Sequence, residues 1–389
     1  MLQLISFFKE QHYEVIFASA AQESSHSDDF DKLRITKVSI ELNNTSFDDF
    51  VRELNPDIVV FDRFISEEQF GWRVSEQCPK TLKIVDTEDL HCLRAARQES
   101  FKKDTLFTID SLFNLDITKR EIASIYRCDL SLIISSFEME LLTEQFKIPT
   151  TILHELPFML DKISKEETLK KPSFEKRIDF VSIGNFKHEP NWQSVLHLKK
   201  NVWPLIKKQI PNAKLLIYGA YATQKVIDLH NEKEGFVING RAEDAHEVIA
   251  NAKVLLAPLQ FGAGLKGKLL EAMQNGTPSV TTTIGAEGMH ANLPWNGFVE
   301  DDIEEFANKA VELYTNKAVW LQAQKNGLKL INTLYDKIKL SKQLSVKINK
   351  IQENLITHRM QNFIGAMLQH HSLQSAKYLS KWIEEKNKS

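Results

Sequence analysis

Short apolar segments alternate with helical segments along most of this chain of 389 residues. Each apolar segment has the length of one strand, at 58–61, 82–85, 129–135 and 150–153 in the first half and at 179–183, 214–218, 236–239 and 254–258 in the second. Strands that alternate with helices in this way form parallel sheets covered by helices on both faces. The chain is too long for one ordinary core, so the sequence predicts two α/β domains.

The domain limits are predicted from a charged stretch at 161–176, which is rich in lysine and glutamate. Such a stretch is typical of an interdomain linker. We therefore expect an N-terminal Rossmann-like domain at 1–165, a second Rossmann-like domain at 166–340 and a helical C-terminal extension at 341–389. The extension is expected to brace the two domains, and a partner-binding or membrane-surface role is the alternative.

The chain opens with an amphipathic helix at 1–11, which is followed by a strand at 13–18. A doubly wound α/β domain normally opens with a strand and a glycine-rich turn before its first helix. The sequence therefore predicts that the first strand of the N-terminal domain is missing. Residues 20–45 are polar, and we expect a loop there with one short strand near 37–42.

Composition excludes several classes of protein. A net charge of -3 without a long basic tract argues against nucleic-acid binding. No segment approaches the roughly 18 apolar residues of a membrane span, and the N-terminus lacks the pattern of a signal peptide. The three cysteines have neither metal-binding nor redox spacing. We expect a cytoplasmic protein without a bound metal ion or other cofactor.

The stretch 261–289 has the most informative local pattern, FGAGLKGKLLEAMQNGTPSVTTTIGAEGM. Its glycine loop leads into a helix at 266–274 and then a strand at 279–283. A helix that follows a glycine loop presents free N–H groups and the positive end of its dipole, which together bind anions. Lys266 and Lys268 add positive charge, so the sequence predicts an anion site.

The predicted helix has two faces. Its core face is expected to carry the apolar residues that recur at three- and four-residue intervals, Leu265, Leu269, Ala272 and Met273. Glu271 lies on the other face, which carries glycines, and its carboxylate could accept hydrogen bonds from two hydroxyl groups, as in a ribose. The alternative is that Glu271 pairs with Lys268 in water, a contact worth under about 1 kcal/mol.

These residues resemble the donor-binding signature of the family 4 (group 1) retaining glycosyltransferases, in the branch with a GAGxKxK…EAM…G.P.V.T…GAEG pattern. The resemblance covers most of residues 45–335 and is strong at 258–288. It implies the GT-B fold, in which two Rossmann-like domains face a cleft. It further implies that Glu271 binds the ribose of a nucleotide sugar. The donor phosphates and sugar would lie beside Gly262, Gly264, Lys266 and Lys268.

In many members of that family a second glutamate stands where this chain has Ala263. A second glycine turn begins at Gly184, and the helix after it opens through Pro190, which is again a geometry that binds anions. Many relatives place an arginine on the diphosphate from this turn, and this chain has Asn185 at that position. Lys187 is expected to substitute for it, together with the two lysines of the first site.

Three further residues are predicted around the donor. By resemblance, Arg241 lies near the nucleotide base, where it either stacks on the base or is a solvated loop residue. Glu287 is acidic beside the expected anion site, so sugar hydroxyls are its expected partners. His188 is expected to be a surface turn residue.

The N-terminal half has its own run of polar residues, DTEDLHCLRAAR at 86–97, directly after a predicted strand. Ligands of open α/β sheets bind at this end of the strands. The predicted catalytic residues could hold an acceptor hydroxyl, orient the sugar or accept a proton, and they are Glu88, Asp89 and His91.

Three more residues are predicted on the acceptor side. Arg94 could neutralise phosphate, and Asp62 and Arg63 end a neighbouring strand. The alternative interpretation of the polar run is a capped helix start, with Asp86 or Thr87 as the N-cap.

The resemblance implies a hexosyl-type glycosyltransferase, which moves a sugar from a nucleotide-sugar donor to a glycan or other hydroxyl acceptor with retention at the anomeric carbon. Assembly of a surface polysaccharide is the expected process, and the scheme requires no metal ion. One alternative is a nucleotide-sugar epimerase on the same fold. The other is a non-catalytic protein that binds a nucleotide sugar or a glycan, which a missing first strand would favour.

Overall fold

The computed structural model describes residues 1–21, 30 and 33–388, without the side chains of 371–374, 376, 387 and 388. Part of the loop predicted at 20–45 therefore lies outside the described residues. The chain divides into two compact units. Unit 1 comprises Met1–Cys92, Leu112–Phe158 and Lys339–Ser389, and unit 2 comprises Leu93–Ser111 and Met159–Ile338.

This division differs from the predicted domain limits at the boundary, which lies at 158/159 and not at 165/166, and in two further places. Leu93–Ser111 packs with the second unit, and the chain from Lys339 onward packs with the first. Contacts between residues far apart in sequence decide both assignments. Arg97 pairs with Glu287, and Arg359 pairs with Asp129, neither of which a change in local composition reveals.

The described part of unit 1 contains two parallel sheets. The smaller sheet pairs β1 (Ile16–Ser19) with β2 (Thr36–Ser39). The larger sheet has four strands in chain order, β3 (Ile58–Asp62), β4 (Leu82–Asp86), β5 (Leu130–Ile133) and β6 (Leu153–Glu155). Asp62 lies opposite Asp86 in the register, so the polar residues that end β3 and β4 share one edge.

The helices of the first 158 residues are α1 (Leu2–Glu10), α2 (Ser46–Leu54), α3 (Arg63–Gln77), α4 (His91–Lys102), α5 (Asp110–Phe113), α6 (Asp116–Arg127) and α7 (Ser136–Glu140). The helical segment after β5 continues beyond α7 as one π turn, Leu141–Gln145. The strand predicted at 150–153 begins only at Leu153, because a 3-10 turn follows Pro149.

Unit 2 is built on one parallel sheet of six strands. The strands are β7 (Ile178–Ile183), β8 (Leu215–Tyr218), β9 (Phe236–Gly240), β10 (Ala252–Ala257), β11 (Ser279–Thr281) and β12 (Gly297–Val299). Their spatial order is β12-β11-β10-β7-β8-β9. The winding direction therefore reverses between β7 and β10, and ligands of such sheets bind at this reversal, outside the carboxyl ends of the strands.

The helices of unit 2 beyond residue 159 are α8 (Lys165–Lys170), α9 (Glu189–His197), α10 (Trp203–Gln209), α11 (Gln224–Ile227), α12 (Ala245–Asn251), α13 (Gly267–Gln274), α14 (Thr283–Ala286), α15 (Ile303–Thr315) and α16 (Lys317–Leu334). The fully buried Phe180, Trp203 and Phe236 anchor its core. The strand predicted at 279–283 ends at Thr281, because the Thr282 hydroxyl accepts a hydrogen bond from the Gly285 N–H and caps α14.

The predicted helical extension is present as three helices, α17 (Lys337–Glu353), α18 (Leu355–Gln361) and α19 (Phe363–Lys388). The break at Asn362 depends on a distant residue, because the Asn362 amide donates to the Tyr126 carbonyl, while its oxygen accepts from the nearby Gly365 N–H. Arg359 binds both carboxylate oxygens of Asp129 at 2.7 and 2.8 Å. These bonds tie α18 and α19 to unit 1.

Helices that could cross a bilayer, long and apolar over their whole length, do not occur among residues 1–21, 30 and 33–388.

Candidate functional site

A cavity of about 420 Å³ opens in unit 2 at the carboxyl edge of its sheet. The loops after β7, β8, β9 and β10 surround it, together with the first turns of α9 and α13. Predicted donor residues in its lining are Gly184, Arg241, Gly262, Lys266, Lys268 and Glu271. The cavity therefore lies where the strand order predicts a ligand site, and two helix N-termini face it.

Lys268 forms the positive centre of this cavity. Its ammonium donates to the Asn191 Oδ1 at 2.7 Å, and the Asn191 amide donates to the Asn185 carbonyl at 2.9 Å. The surrounding protein desolvates the ammonium and lowers the Lys268 pKa to about 8, against the opposing effect of the Glu271 carboxylate. A desolvated ammonium gains most from an anion, because charge interactions strengthen where water is excluded.

Glycines keep this part of the cavity open. A Cβ on Gly184 would lie 2.7 Å from the Asn191 side chain and 2.9 Å from the Lys268 Nζ. A Cβ on Gly219 would lie 2.2 Å from the Gly184 carbonyl oxygen, so the loops after β7 and β8 approach as closely as backbone allows. At Gly267, the first residue of α13, a Cβ would meet nothing within 4 Å. The N-terminal turn of α13 is therefore accessible to a ligand.

Lys266 precedes α13 directly and is 8% exposed. Its ammonium donates to the Gly264 carbonyl at 2.7 Å, which holds the glycine loop against the helix start. Gly262 and Gly264 have φ angles of 147° and 64°, which favour glycine strongly. Gly264 was predicted beside the donor, but it does not line the cavity; the neighbouring Ala263 and Leu265 do. Leu265 was predicted to face the core and instead contributes an apolar wall.

Glu271 lies one turn into α13, half-buried and in the cavity lining. No ion pair joins it to Lys268 among the residues that the structure describes, since the Lys268 ammonium is directed to Asn191. The alternative of a solvated Glu271–Lys268 pair is therefore wrong. A carboxylate on the cavity wall can accept two hydroxyl hydrogens.

Three further residues named in the sequence analysis differ in their relation to the cavity. Lys187 does not line the cavity, because its ammonium lies 3.9 Å above the centre of the Tyr221 ring. Arg241 lines the cavity and is exposed, beyond the turn made by Gly240 with its φ of 71°. His188 is exposed in the turn that precedes α9, as expected, and it also borders the cavity.

A buried ion pair behind the glycine loop was not predicted. Arg97 of α4 is 6% exposed and binds both carboxylate oxygens of Glu287 at 2.7 Å. The same guanidinium donates to the Gly262 carbonyl at 2.8 Å. Glu287 is thus occupied by Arg97, which contradicts the expectation that it faces sugar hydroxyls. The run at 86–97 contains Arg97, but nothing local indicates its distant partner.

The acceptor-side residues of unit 1 lie at the shared edge of β3 and β4. Arg63 forms two bonds to the Asp62 carboxylate, at 3.0 and 3.2 Å. Arg63 and Glu88 both have positive φ angles, 65° and 57°, which are strained for residues with side chains. Burial raises the pKa of Asp86 to about 6, although the N-terminal amino group acts in the opposite direction.

Asp89 and His91 form a contact of 3.4 Å between the Asp89 Oδ1 and the His91 Nε2. The backbone N–H groups of His91 and Cys92 donate to the two oxygens of Glu121 at 3.0 and 2.8 Å. Glu121 is fully buried, and burial raises its pKa to about 7. The first turn of α4 is therefore capped by a carboxylate from α6, and the alternative of an Asp86 or Thr87 cap missed this residue.

Arg94 is half-buried on α4 and belongs to unit 2. The structure places Asp62, Arg63, Glu88, Asp89 and His91 in unit 1 and the predicted donor residues in unit 2. In the part of the chain that the structure describes, no group of three or more histidine, cysteine or carboxylate side chains could hold a metal ion.

Residues 177–316 match the family model described as Glycosyl transferases group 1. A curated relative, the "Uncharacterized 44.6 kDa protein in cps region" of Klebsiella pneumoniae, is 24% identical over 270 residues. That match covers 67% of this chain and 66% of the relative, so it spans slightly less than two thirds of the relative's length.

Several solved structures are similar. Sucrose-phosphate synthase from Thermosynechococcus elongatus has a TM-score of 0.65 at 15% identity, over 90% of this chain and 92% of its own. HepE from Anabaena, crystallised with UDP and glucose, has a TM-score of 0.63 at 13% identity, over 90% and 95%. TarM from S. aureus, crystallised with UDP and alpha-GlcNAc-glycerol, has a TM-score of 0.59 at 14% identity, over 78% and 58%. These likenesses confirm the predicted α/β fold of the GT-B type.

Proposed function

We propose that this chain, which carries a group 1 glycosyltransferase domain at residues 177–316, transfers a sugar from a nucleotide-sugar donor to a hydroxyl group of a glycan or other acceptor. The observation that carries the proposal is the cavity in that domain. It joins two helix N-termini, a desolvated lysine and a carboxylate in one space of about 420 Å³. A nucleoside diphosphate sugar offers a matching diphosphate and ribose.

The diphosphate would bind at the first turn of α13, beside Lys268. Free N–H groups and the helix dipole attract the negative charge there. When the bond to the sugar breaks, that charge grows on the nucleoside diphosphate as it leaves. Donors that are already fixed in place stabilise it without reorganisation, and Asn191 holds Lys268 in this manner. Glu271 would accept the ribose hydroxyl groups, and Arg241 would contact the base at the rim.

The acceptor would bind through unit 1. Glu88, Asp89 and His91 would hold the acceptor hydroxyl or the sugar, and Asp62 and Arg63 would complete that side. Arg94, which belongs to unit 2, would neutralise phosphate. The contact between Asp89 and His91 supports this, because a carboxylate orients an imidazole for proton transfer. Retention at the anomeric carbon and a hexose as the transferred sugar rest on the resemblance of the signature at 261–289.

The process is proposed to be the assembly of a surface polysaccharide in the cytoplasm. Its support is the relative from a cps region. A nucleotide-sugar donor fits the neighbours, since HepE was crystallised with UDP-glucose and the pneumococcal transferase GtfA with UDP and GlcNAc. We propose a scheme without a metal ion, in which lysines and helix N-termini hold the diphosphate.

Calorimetric titration of UDP, GDP and ADP and of their sugar conjugates tests the donor site. We expect one nucleotide to bind, and Glu271→Ala to weaken its binding by about 1–3 kcal/mol, as for a lost hydrogen bond to a charged group. Glu247→Ala is the matched control, because Glu247 is an exposed carboxylate on the neighbouring α12 and lies outside the cavity lining. Absence of binding by all three nucleotides would refute the donor site.

Product analysis then separates transfer from other chemistry. Incubation of the donor with a hydroxyl acceptor should yield a glycoside and free nucleoside diphosphate. A changed sugar without any acceptor would instead identify an epimerase.

A further inference from the structure

Arg97 lies behind the donor cavity and does not line it. Three groups of unit 2 engage its side chain. Its guanidinium binds the Glu287 carboxylate with two parallel bonds of 2.7 Å, donates to the Gly262 carbonyl at 2.8 Å and lies 5.2 Å from the centre of the Phe107 ring. On the next turn of α4, Phe101 packs against Phe261 with ring centres 4.7 Å apart. Helix α4 therefore contacts both residues of the glycine loop at 261–262, through Arg97 and Phe101.

The bond to Gly262 sets the direction of one peptide group. In a planar trans peptide the carbonyl of one residue and the N–H of the next point in opposite directions. Because the Gly262 carbonyl points to Arg97, the Ala263 N–H points away from Arg97. The φ of 147° at Gly262 is open to glycine and strained for other residues. Glycine has no Cβ to restrict its backbone, so Gly262 relies on an external bond to fix this peptide.

Glu287 completes the arrangement from the other side. It lies in the turn after α14, which Tyr335 fixes through a bond of 2.7 Å from its hydroxyl to the Met289 carbonyl. Glu287 is 15% exposed, and both of its oxygens accept from Arg97. The carboxylate therefore orients the guanidinium, and the guanidinium orients the loop. Bidentate pairs of this kind give geometric specificity as well as energy.

We propose that Arg97 is a positioning residue for the donor site. With Glu287 it holds the 261–264 loop in the one conformation that presents the cavity wall to the diphosphate and sugar of the donor. The inference rests on the proposed function, because it assigns the loop to a nucleotide-sugar ligand. Loss of these bonds lets the loop populate other conformations. The apparent affinity then falls in proportion to the fraction of protein whose loop keeps the binding-competent conformation.

Two buried arginines in the same unit give a matched test. Arg97→Lys and Arg97→Met remove the guanidinium N–H groups that donate to Gly262 and Glu287. Arg177→Lys is the control, because Arg177 is also buried and donates to the Asn275 carbonyl at 2.8 Å, at the C-terminal end of α13 and not at the loop. Its substitution should lower the melting temperature and leave the affinity for nucleoside diphosphate unchanged.

The readout is the dissociation constant of UDP, GDP or ADP, whichever the wild type binds, and of its sugar conjugate. We expect Arg97→Met to weaken both ligands by about tenfold, as for a misplaced binding group, and Arg97→Lys to weaken them less. Glu287→Gln should weaken both ligands equally, and its effect should not add to that of Arg97→Met, since the two residues act as one unit. Glu287→Gln also serves if Arg97→Met does not fold.

The outcomes are distinct. If Glu271→Ala weakens binding while Arg97→Met and Glu287→Gln bind as the wild type does, the positioning role is overturned and the donor site stands. A loss at Glu287→Gln that is confined to the sugar conjugate would show that Glu287 contacts the sugar, and would also overturn it. If the wild type binds none of the nucleotides, the proposed function and this inference fall together.

Discussion

The Lys268 ammonium should make donor binding depend on pH in a range where most lysines do not titrate. Desolvation lowers its pKa to about 8 in the free protein, far below the usual value for lysine. A bound diphosphate favours the charged form and raises the pKa again. Affinity that depends on this charge is therefore present below pH 8 and is lost as the pH rises through 8.

The magnitude follows from the fraction of protein that carries the charge. With a pKa of about 8, about nine tenths of the free protein is protonated at pH 7 and about one tenth at pH 9. The apparent dissociation constant is the intrinsic value divided by that fraction. It should therefore rise by about tenfold between pH 7 and pH 9, which corresponds to about 1.4 kcal/mol.

Calorimetry with the nucleoside diphosphate that binds is the direct assay. The phosphate itself is constant over this range, because its second pKa is about 6. At pH 8, buffers of different ionisation enthalpy should reveal uptake of about half a proton on binding. Lys268→Arg keeps the positive charge and should remove the pH dependence. An affinity of the wild type that stays constant from pH 7 to pH 9 would refute a diphosphate contact by Lys268.

Two further perturbations test the packing that supports each unit. Gly184→Ala places a Cβ 2.7 Å from the Asn191 side chain and 2.9 Å from the Lys268 Nζ. Calorimetry should therefore show about tenfold weaker diphosphate binding, as for a displaced binding group. Unchanged affinity would contradict a contact between Lys268 and the diphosphate. Arg359→Met leaves the buried Asp129 without its guanidinium partner, and urea denaturation should show a loss of about 3 kcal/mol. The exposed Arg52→Met is the control, since its pair with Asp49 should contribute under about 1 kcal/mol.

Most of the strands and helices could be predicted because each depends on a local pattern. The strand β3 is a continuous apolar run before Asp62, and Lys83 alone interrupts the apolar residues of β4 before Asp86, as expected in parallel sheets. The helices α15 and α16 begin directly after Asp302 and Asn316, whose own side chains cap them, so both starts are encoded locally. The errors occur where distant residues intervene, as at Asn362, whose amide bonds to Tyr126 break the C-terminal helix.

Much of the cavity lining of the candidate site could also be predicted from the sequence. Gly262, Lys266, Lys268 and Glu271 lie within ten residues, on a loop and the helix that follows it. Such spacing fixes which groups share a face, whatever the rest of the chain does. Gly184 and Arg241 lie far from that stretch, but each follows a strand of one parallel sheet. The carboxyl ends of those strands meet at one edge.

The hydrogen-bond partners of these residues could not be predicted from the sequence. The sequence alone determined a parallel α/β chain with a glycine loop that leads into a helix, because propensity, periodicity and glycine placement are local properties. Only the tertiary structure decided that Asn191 accepts a hydrogen bond from Lys268 and that Arg97 donates to both Gly262 and Glu287. It also decided that Glu121 caps α4. A buried charge takes whichever partner the fold brings within about 3 Å, and no local pattern encodes that choice.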